Sequence, residues 1–225
     1  VPVVVGAAQV IQRPGEVPLD AARGPVELMA DAARAAAVDS GVPGLLDRVA
    51  WVGAVPGWYR HTNPGADVAA ALGRPHVATA LTGHSGTSAL DLLGLACTRL
   101  AAGQLDVALV VGGEARWTSS RLKAAGDPVP WRQDPGDLAQ PEHVAGFPPE
   151  MLTELDVLGS AAGAYALFED RLRSAAGATV AEHTARIAAL WERFSAIAAD
   201  NPYAWDRTPH RAAAIATPGP HNRMI

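Results

Sequence analysis

Residues 76–114 impose the strongest constraint on what this chain can fold into. The apolar run at residues 76–81 leads into Thr82-Gly83-His84-Ser85-Gly86-Thr87-Ser88. A stretch with Leu90, Leu92, Leu93, Leu95, Ala96 and Leu100 follows, closed by Gly103. Residues 106–111 form another apolar run, which ends in Gly112-Gly113-Glu114. Strand, polar turn, helix and strand in direct succession make a crossover unit, the connection that joins parallel strands. The helix is apolar on most sides, which predicts that it is buried.

The same alternation extends toward the N-terminus. Residues 3–10 are a continuous, largely β-branched run and read as a strand covered on both faces. Pro14, Gly15 and Pro18 break it. Pro25 suits the first position of a helix, and Leu28, Ala32, Ala35 and Ala36 continue it at helical spacing up to Gly41. Residues 48–55 read as a strand, and Asn63-Pro64 opens a short helix with Asn63 as its N-cap. The fold class is therefore α/β: a mixed, mostly parallel sheet with crossover helices.

After Ala115 the character changes. Residues 127–149 are rich in proline, charge and tryptophan, without periodicity. Helices are predicted at residues 158–174 and 180–199, the second with an apolar stripe of Trp191, Phe194 and Ile197, and a short one at 210–215. The expected organisation is an α/β unit over residues 1–118 and a loop-rich, mainly helical insertion over residues 119–225.

Composition narrows the function classes. A formal net charge of −5 leaves no clustered basic surface for nucleic acid. Lys123 is the only lysine, so any phosphate recognition falls to arginine. The single cysteine, Cys97, allows neither an intrachain disulfide nor a multi-cysteine metal site and points to a reducing compartment. His61, His76, His143, His183, His210 and His221 show no metal-ligand spacing, and His183 reads as solvated or capping. The N-terminus lacks the regions of a signal peptide, and no stretch approaches the roughly 20 apolar residues that span a bilayer. The expectation is a cytoplasmic protein without metal, nucleic-acid partner or membrane span.

The order of motifs in residues 82–114, from the polar turn through the helix to Gly112-Gly113-Glu114-Ala115, resembles the thiolase superfamily. The opening Val3-Val4-Val5-Gly6 with Gln9, and the Pro25-Glu27-Leu28 helix start, fit the same pattern. Further on, His183-Thr184-Ala185-Arg186, Leu190-Trp191 and Phe194-Ser195 are similar to actinobacterial thiolase-like proteins of the acetyl-CoA acetyltransferase kind. So are Asn201-Pro202-Tyr203-Ala204-Trp205 and the closing Asn222-Arg223-Met224-Ile225. The resemblance covers essentially the whole chain. It implies CoA or acyl-CoA as substrate, no covalently bound cofactor and a place in lipid metabolism. It also implies a second, similar half that supplies a histidine and a second cysteine. That half is expected as a missing C-terminal portion or as a partner subunit, in a homo- or hetero-oligomer, with a dimer as the family expectation.

In that family the turn before the buried helix carries the cysteine that becomes acylated. A histidine base and the helix N-terminus activate it, and backbone N–H groups hold the oxyanion. Aligned from the Gly-Gly motif, the cysteine position falls at Gly86, and none of residues 83–88 is cysteine. The candidate catalytic residues are therefore His84, Ser85, Gly86 and Ser88. Two roles stay open: a substitute serine nucleophile with His84 as base, or helix capping by Ser85, Thr87 or Ser88 at an anion-binding N-terminus. Cys97 lies more than two turns further along the helix and is expected to be a buried structural thiol. The resemblance also offers Trp117, Trp131, Trp191 and Trp205 as a wall for an acyl chain or adenine, and Arg116, Arg121 and Arg132 for phosphates. Packing and solvation are the plainer roles for both sets. Thiolase activity is expected to be weak, altered or absent, with a non-catalytic scaffold or partner subunit as the alternative.

Overall fold

The computed structural model describes residues 1–13, 15–59, 61–131, 138–144, 161–219 and 222. The chain divides into two compact units, Val1–Phe147 and Pro148–Ile225. The first contains α1 (Pro25–Asp39), β1 (Val49–Ala54), α2 (Pro64–Ala71), β2 (Ala78–Thr82), α3 (Ser88–Ala101), β3 (Val107–Val111), α4 (Arg116–Ala125) and β4 (Glu142–Val144). The strands form one sheet in the order β3-β1-β2-β4. All three pairings are parallel, as the alternation of strands and helices requires.

The central strand β1 carries the core. Val49, Trp51, Val52 and Ala54 are at most 3% exposed. On one face Val52 and Ala54 pack with Met29 of α1, Val68 and Ala69 of α2, and Val111. On the other Trp51 packs with Ala80 and with Leu92 and Ala96 of α3. Gly53 lies under this second layer, where a Cβ would come within 2.5 Å of the Trp51 ring and 2.9 Å of Leu92. A parallel strand covered on both faces needs such a continuous apolar run.

Asn63 ties the sheet to α2. Its Oδ1 accepts the Ala66 N–H at 3.0 Å, the cap expected from the sequence. Its Nδ2 donates to Thr79 Oγ1 of β2 at 2.9 Å and to the Ala139 carbonyl at 2.6 Å. With the side chain 1% exposed, all three bonds are made away from water.

Several expectations are corrected. Residues 3–10 form no strand: Val3, Val4 and Val5 are 73%, 78% and 50% exposed. Their segment docks on the end of α1 instead. The Ala7 N–H donates to Asp39 Oδ2 at 2.9 Å, and Gly6 lies against the Ala36 carbonyl, where a Cβ would clash. The slot beside β1 is filled by β3, which pairs with it directly. Helix α3 is buried along one stripe only, Ser88, Leu92 and Ala96, while Leu90 and Leu93 are 67% and 40% exposed. One face of the helix meets the sheet, and no described element covers the other. β4 arises inside the stretch read as irregular; three residues are too few to show a period. α4 is a further addition, with Thr118 and Leu122, four residues apart, as its buried residues.

The second unit contains α5 (Ala161–Ala175), α6 (Val180–Asp200) and α7 (Ala212–Ile215). The predicted start of α5 at 158 and the tail residues 223–225 lie outside the described residues. A capping box opens α6: Thr179 Oγ1 accepts the Glu182 N–H, and Glu182 Oε2 accepts the Thr179 N–H at 2.8 Å. His183 is buried rather than solvated, and its Nε2 lies 2.7 Å from Glu169 Oε2 on α5. Arg186 can only donate, and it lies 3.1 Å from His183 Nδ1. Nδ1 therefore accepts, and Nε2 carries the proton toward Glu169.

Asn63→Ala should destabilise the first unit by about 2–4 kcal/mol, the loss of a cap plus buried groups left unpaired. Asn63→Asp keeps the cap acceptor but sets a buried carboxylate oxygen against the Ala139 carbonyl, so it should lose at least as much. Urea denaturation followed by circular dichroism measures both, and an unchanged midpoint for Asn63→Ala would contradict the assignment.

Candidate functional site

Because the sheet is parallel, the loops following β1, β2 and β3 emerge on one edge, the carboxyl ends of the strands. In open α/β sheets this is where ligands bind. Three loops meet there: residues 55–59 with 61–63, residues 83–87 and residues 112–115.

The first loop turns at Gly57, where a Cβ would approach the Tyr59 ring to 2.1 Å. Tyr59 folds inward, its hydroxyl 4.0 Å from Met29 Sδ. Burial pushes the Tyr59 phenol well above its ordinary range, and the Glu114 and Asp67 carboxylates add to the shift. His61 Nδ1 meets Asp67 Oδ2 at 2.7 Å, with both side chains almost fully buried. Trp58 points outward and is 74% exposed. Its backbone N–H donates to Glu114 Oε2 at 2.6 Å, and the Ala115 N–H donates to Glu114 Oε1 at 2.8 Å. The Arg116 guanidinium lies over the Trp58 ring at 4.9 Å, and the His84 ring lies 5.8 Å from it, tilted by 33°. Trp58 thus joins all three loops.

In the second loop the candidate residues separate by role. The Ser88 hydroxyl is buried and lies 2.8 Å from the Gly83 carbonyl and 2.9 Å from the Ser85 carbonyl, to which it donates, locking the turn. Ser85 Oγ accepts the Thr87 N–H at 3.1 Å and lies 3.0 Å from Thr87 Oγ1. Thr87 Oγ1 donates its proton to Asp91 Oδ2 at 3.0 Å. The Ser85 proton therefore points to Thr87, giving a hydroxyl chain from Ser85 to the Asp91 carboxylate. His84 is not part of it; its ring is turned to Trp58. Gly86 is exposed, and a Cβ there would meet nothing within 4 Å.

Cys97 is exposed, not buried as expected, because it follows Leu90 and Leu93 along the outward face of α3. Arg121 lies over the Trp117 ring at 5.4 Å, while Arg132 falls outside the described residues. Among the described residues no group of His, Cys, Asp or Glu could hold a metal ion, and no helix is long and apolar enough to cross a membrane.

Trp58, Tyr59 and Asp67 were not singled out from the sequence. The available signal was the Pro56-Gly57-Trp58 turn directly after a predicted strand, since that position lies at the ligand-binding edge of a parallel sheet.

No protein-family model matches this chain, and no curated protein matches it. Among solved structures it is similar to a monomeric SCP2-thiolase-like protein type 1 from Mycobacterium smegmatis, with a TM-score of 0.63 and 25% sequence identity. The match covers 98% of this chain and 40% of that one, so the chain spans about two fifths of that protein's length. The fold is thiolase-like.

The Tyr59 shift has a definite sign in stability. A phenol held neutral by the fold contributes fully below its unfolded pKa of about 10, and that contribution is lost as pH rises beyond it. Stability should fall by up to about 1.4 kcal/mol per pH unit above that point. The fall should be shallower in Tyr59→Phe; identical alkaline slopes in denaturant titrations would contradict the burial of this hydroxyl.

Proposed function

We propose that this chain belongs to an acyl-CoA-handling protein of the thiolase-like kind, similar to the actinobacterial acetyl-CoA acetyltransferase-like proteins. In it a small polar turn replaces the cysteine nucleophile, and thiolase activity is weak, altered or absent. The observation that carries this reading is the place of residues 83–88. They lie at the carboxyl edge of a parallel sheet, directly before the N-terminus of the 14-residue helix α3. A helix start of this kind lowers a thiol pKa and offers N–H groups to a developing oxyanion.

The residues present can perform part of that chemistry. Gly86 leaves open space where an acyl group would approach the first turn of α3. Ser85 is the hydroxyl whose proton can pass through Thr87 to Asp91. A carboxylate reached through a second hydroxyl is a weaker activator than an adjacent histidine base, because the proton must cross two bonds to reach it. This supports slow or altered acyl transfer rather than thiolysis.

A specific observation favours a second reading, a non-catalytic scaffold or partner subunit. Leu90 and Leu93 on α3 and Val3 and Val4 in the N-terminal segment expose large apolar side chains. An exposed apolar face such as that of Leu90 and Leu93 marks association, with a C-terminal thiolase half or a separate subunit as occupant.

Native mass spectrometry of the protein from its own source, with and without CoA, tests the first reading. Adducts of CoA or acyl-CoA are expected. A chain that ignores every CoA ester, even with a C-terminal half present, would leave only the scaffold. In a Cys97→Ser background, Gly86→Cys should be accommodated without loss of stability. Its thiol should titrate at least about one pH unit below the ~8.5 of a free cysteine, read by the pH dependence of iodoacetamide alkylation. An ordinary thiol at that position would count against the turn as a nucleophile site.

A further inference from the structure

We infer that Trp58, His84 and Arg116 form a clamp for a single oxyanion group, the carboxylate of an acyl substrate or a phosphate, at the carboxyl edge of the sheet. Trp58 and His84 come from two loops and Arg116 from the first turn of α4, and they meet around one exposed indole. Arg116 lies over the ring at 4.9 Å and His84 at 5.8 Å. Among the described residues, the guanidinium, the imidazole and the indole N–H have no hydrogen-bond or ion-pair partner. The cluster therefore presents a fixed cation together with N–H donors from the imidazole and the indole, the complement of a carboxylate or phosphate. Nearby acids do not cancel it. Glu114 is committed to the backbone N–H groups of Trp58 and Ala115, and Asp91 to the Thr87 hydroxyl.

One local conflict points the same way. Arg116 is the first residue of α4, where the helix dipole disfavours a cation. Sequences break local rules where a ligand compensates, and an oxyanion beside Arg116 would offset this one. Cation–π contact with Trp58 holds the Arg116 fork in place before the ligand arrives.

The link to an acyl substrate rests on the acyl-CoA reading above; the oxyanion chemistry rests on the cluster alone. The test is isothermal titration at low salt with glutarate and, separately, inorganic phosphate. It uses the whole protein and the variants Arg116→Gln, His84→Gln and Lys123→Gln. At least one probe is expected to bind, with the Trp58 indole N–H resonance shifting on saturation. Arg116→Gln should raise Kd at least about tenfold, or about 1.4 kcal/mol. His84→Gln should weaken binding. Lys123→Gln, which removes an equal charge elsewhere on α4, should stay within about twofold. Binding of glutarate assigns a carboxylate, and preference for phosphate assigns a phosphate. If neither probe binds, or if Arg116→Gln and Lys123→Gln lose affinity alike, the clamp is overturned. A protein that takes glutarate through Arg116 but ignores CoA would keep the clamp and remove the acyl-CoA reading.

Discussion

The first unit depends on the burial of β1 from both faces. Trp51, Val52 and Ala54 exclude water completely, and each face of the strand seats a different helical layer. Gly53 makes this possible, since any side chain there would displace Trp51 from Leu92. With β1 held in this way, β2 and β3 can flank it only in parallel, and their connections must cross over as helices. Every functional loop then emerges on the same edge. The position of the site is thus a consequence of how the central strand is packed.

At that edge the order is polar rather than apolar. Glu114 spans two loops with its two oxygens, the Ser88 hydroxyl closes the turn, and Trp58 binds the loops together at the surface. These bonds occupy the N-cap N–H groups of α3 and α4 without a side-chain cap from Thr87 or Ala115. Asn63 for α2 and Thr179 for α6 supply such a cap directly.

The site was partly legible in the sequence. The turn at residues 83–88 stood out because a polar, glycine-bearing segment between an apolar strand and a helix has few structural uses, and the structure puts it at the carboxyl edge of the sheet. Trp58 and Arg116 could not be joined to it, since 26 residues separate Trp58 from His84 and 32 separate His84 from Arg116, and no periodicity reports contacts of that range. The His84 ring lies against Trp58 rather than Ser85. Neighbouring residues in a tight turn point apart, and the aromatic face of Trp58 offers the imidazole a better surface.

By itself the sequence determined the α/β class, the helices from Pro25, Pro64, Ser88 and Val180, the strands at β1 to β3, and the Asn63 cap. These follow from local rules: period, proline position and short-range hydrogen bonding act within a few residues. Only the tertiary structure decided that the β-branched run at residues 3–10 stays out of the sheet, that α3 buries one stripe and exposes the rest, and that β4 joins beside β2. It alone brought Trp58, His84 and Arg116 together. Each of these outcomes is a competition among distant segments for the same surface. Whether an apolar strand or helix face is covered depends on what else in the protein reaches it first.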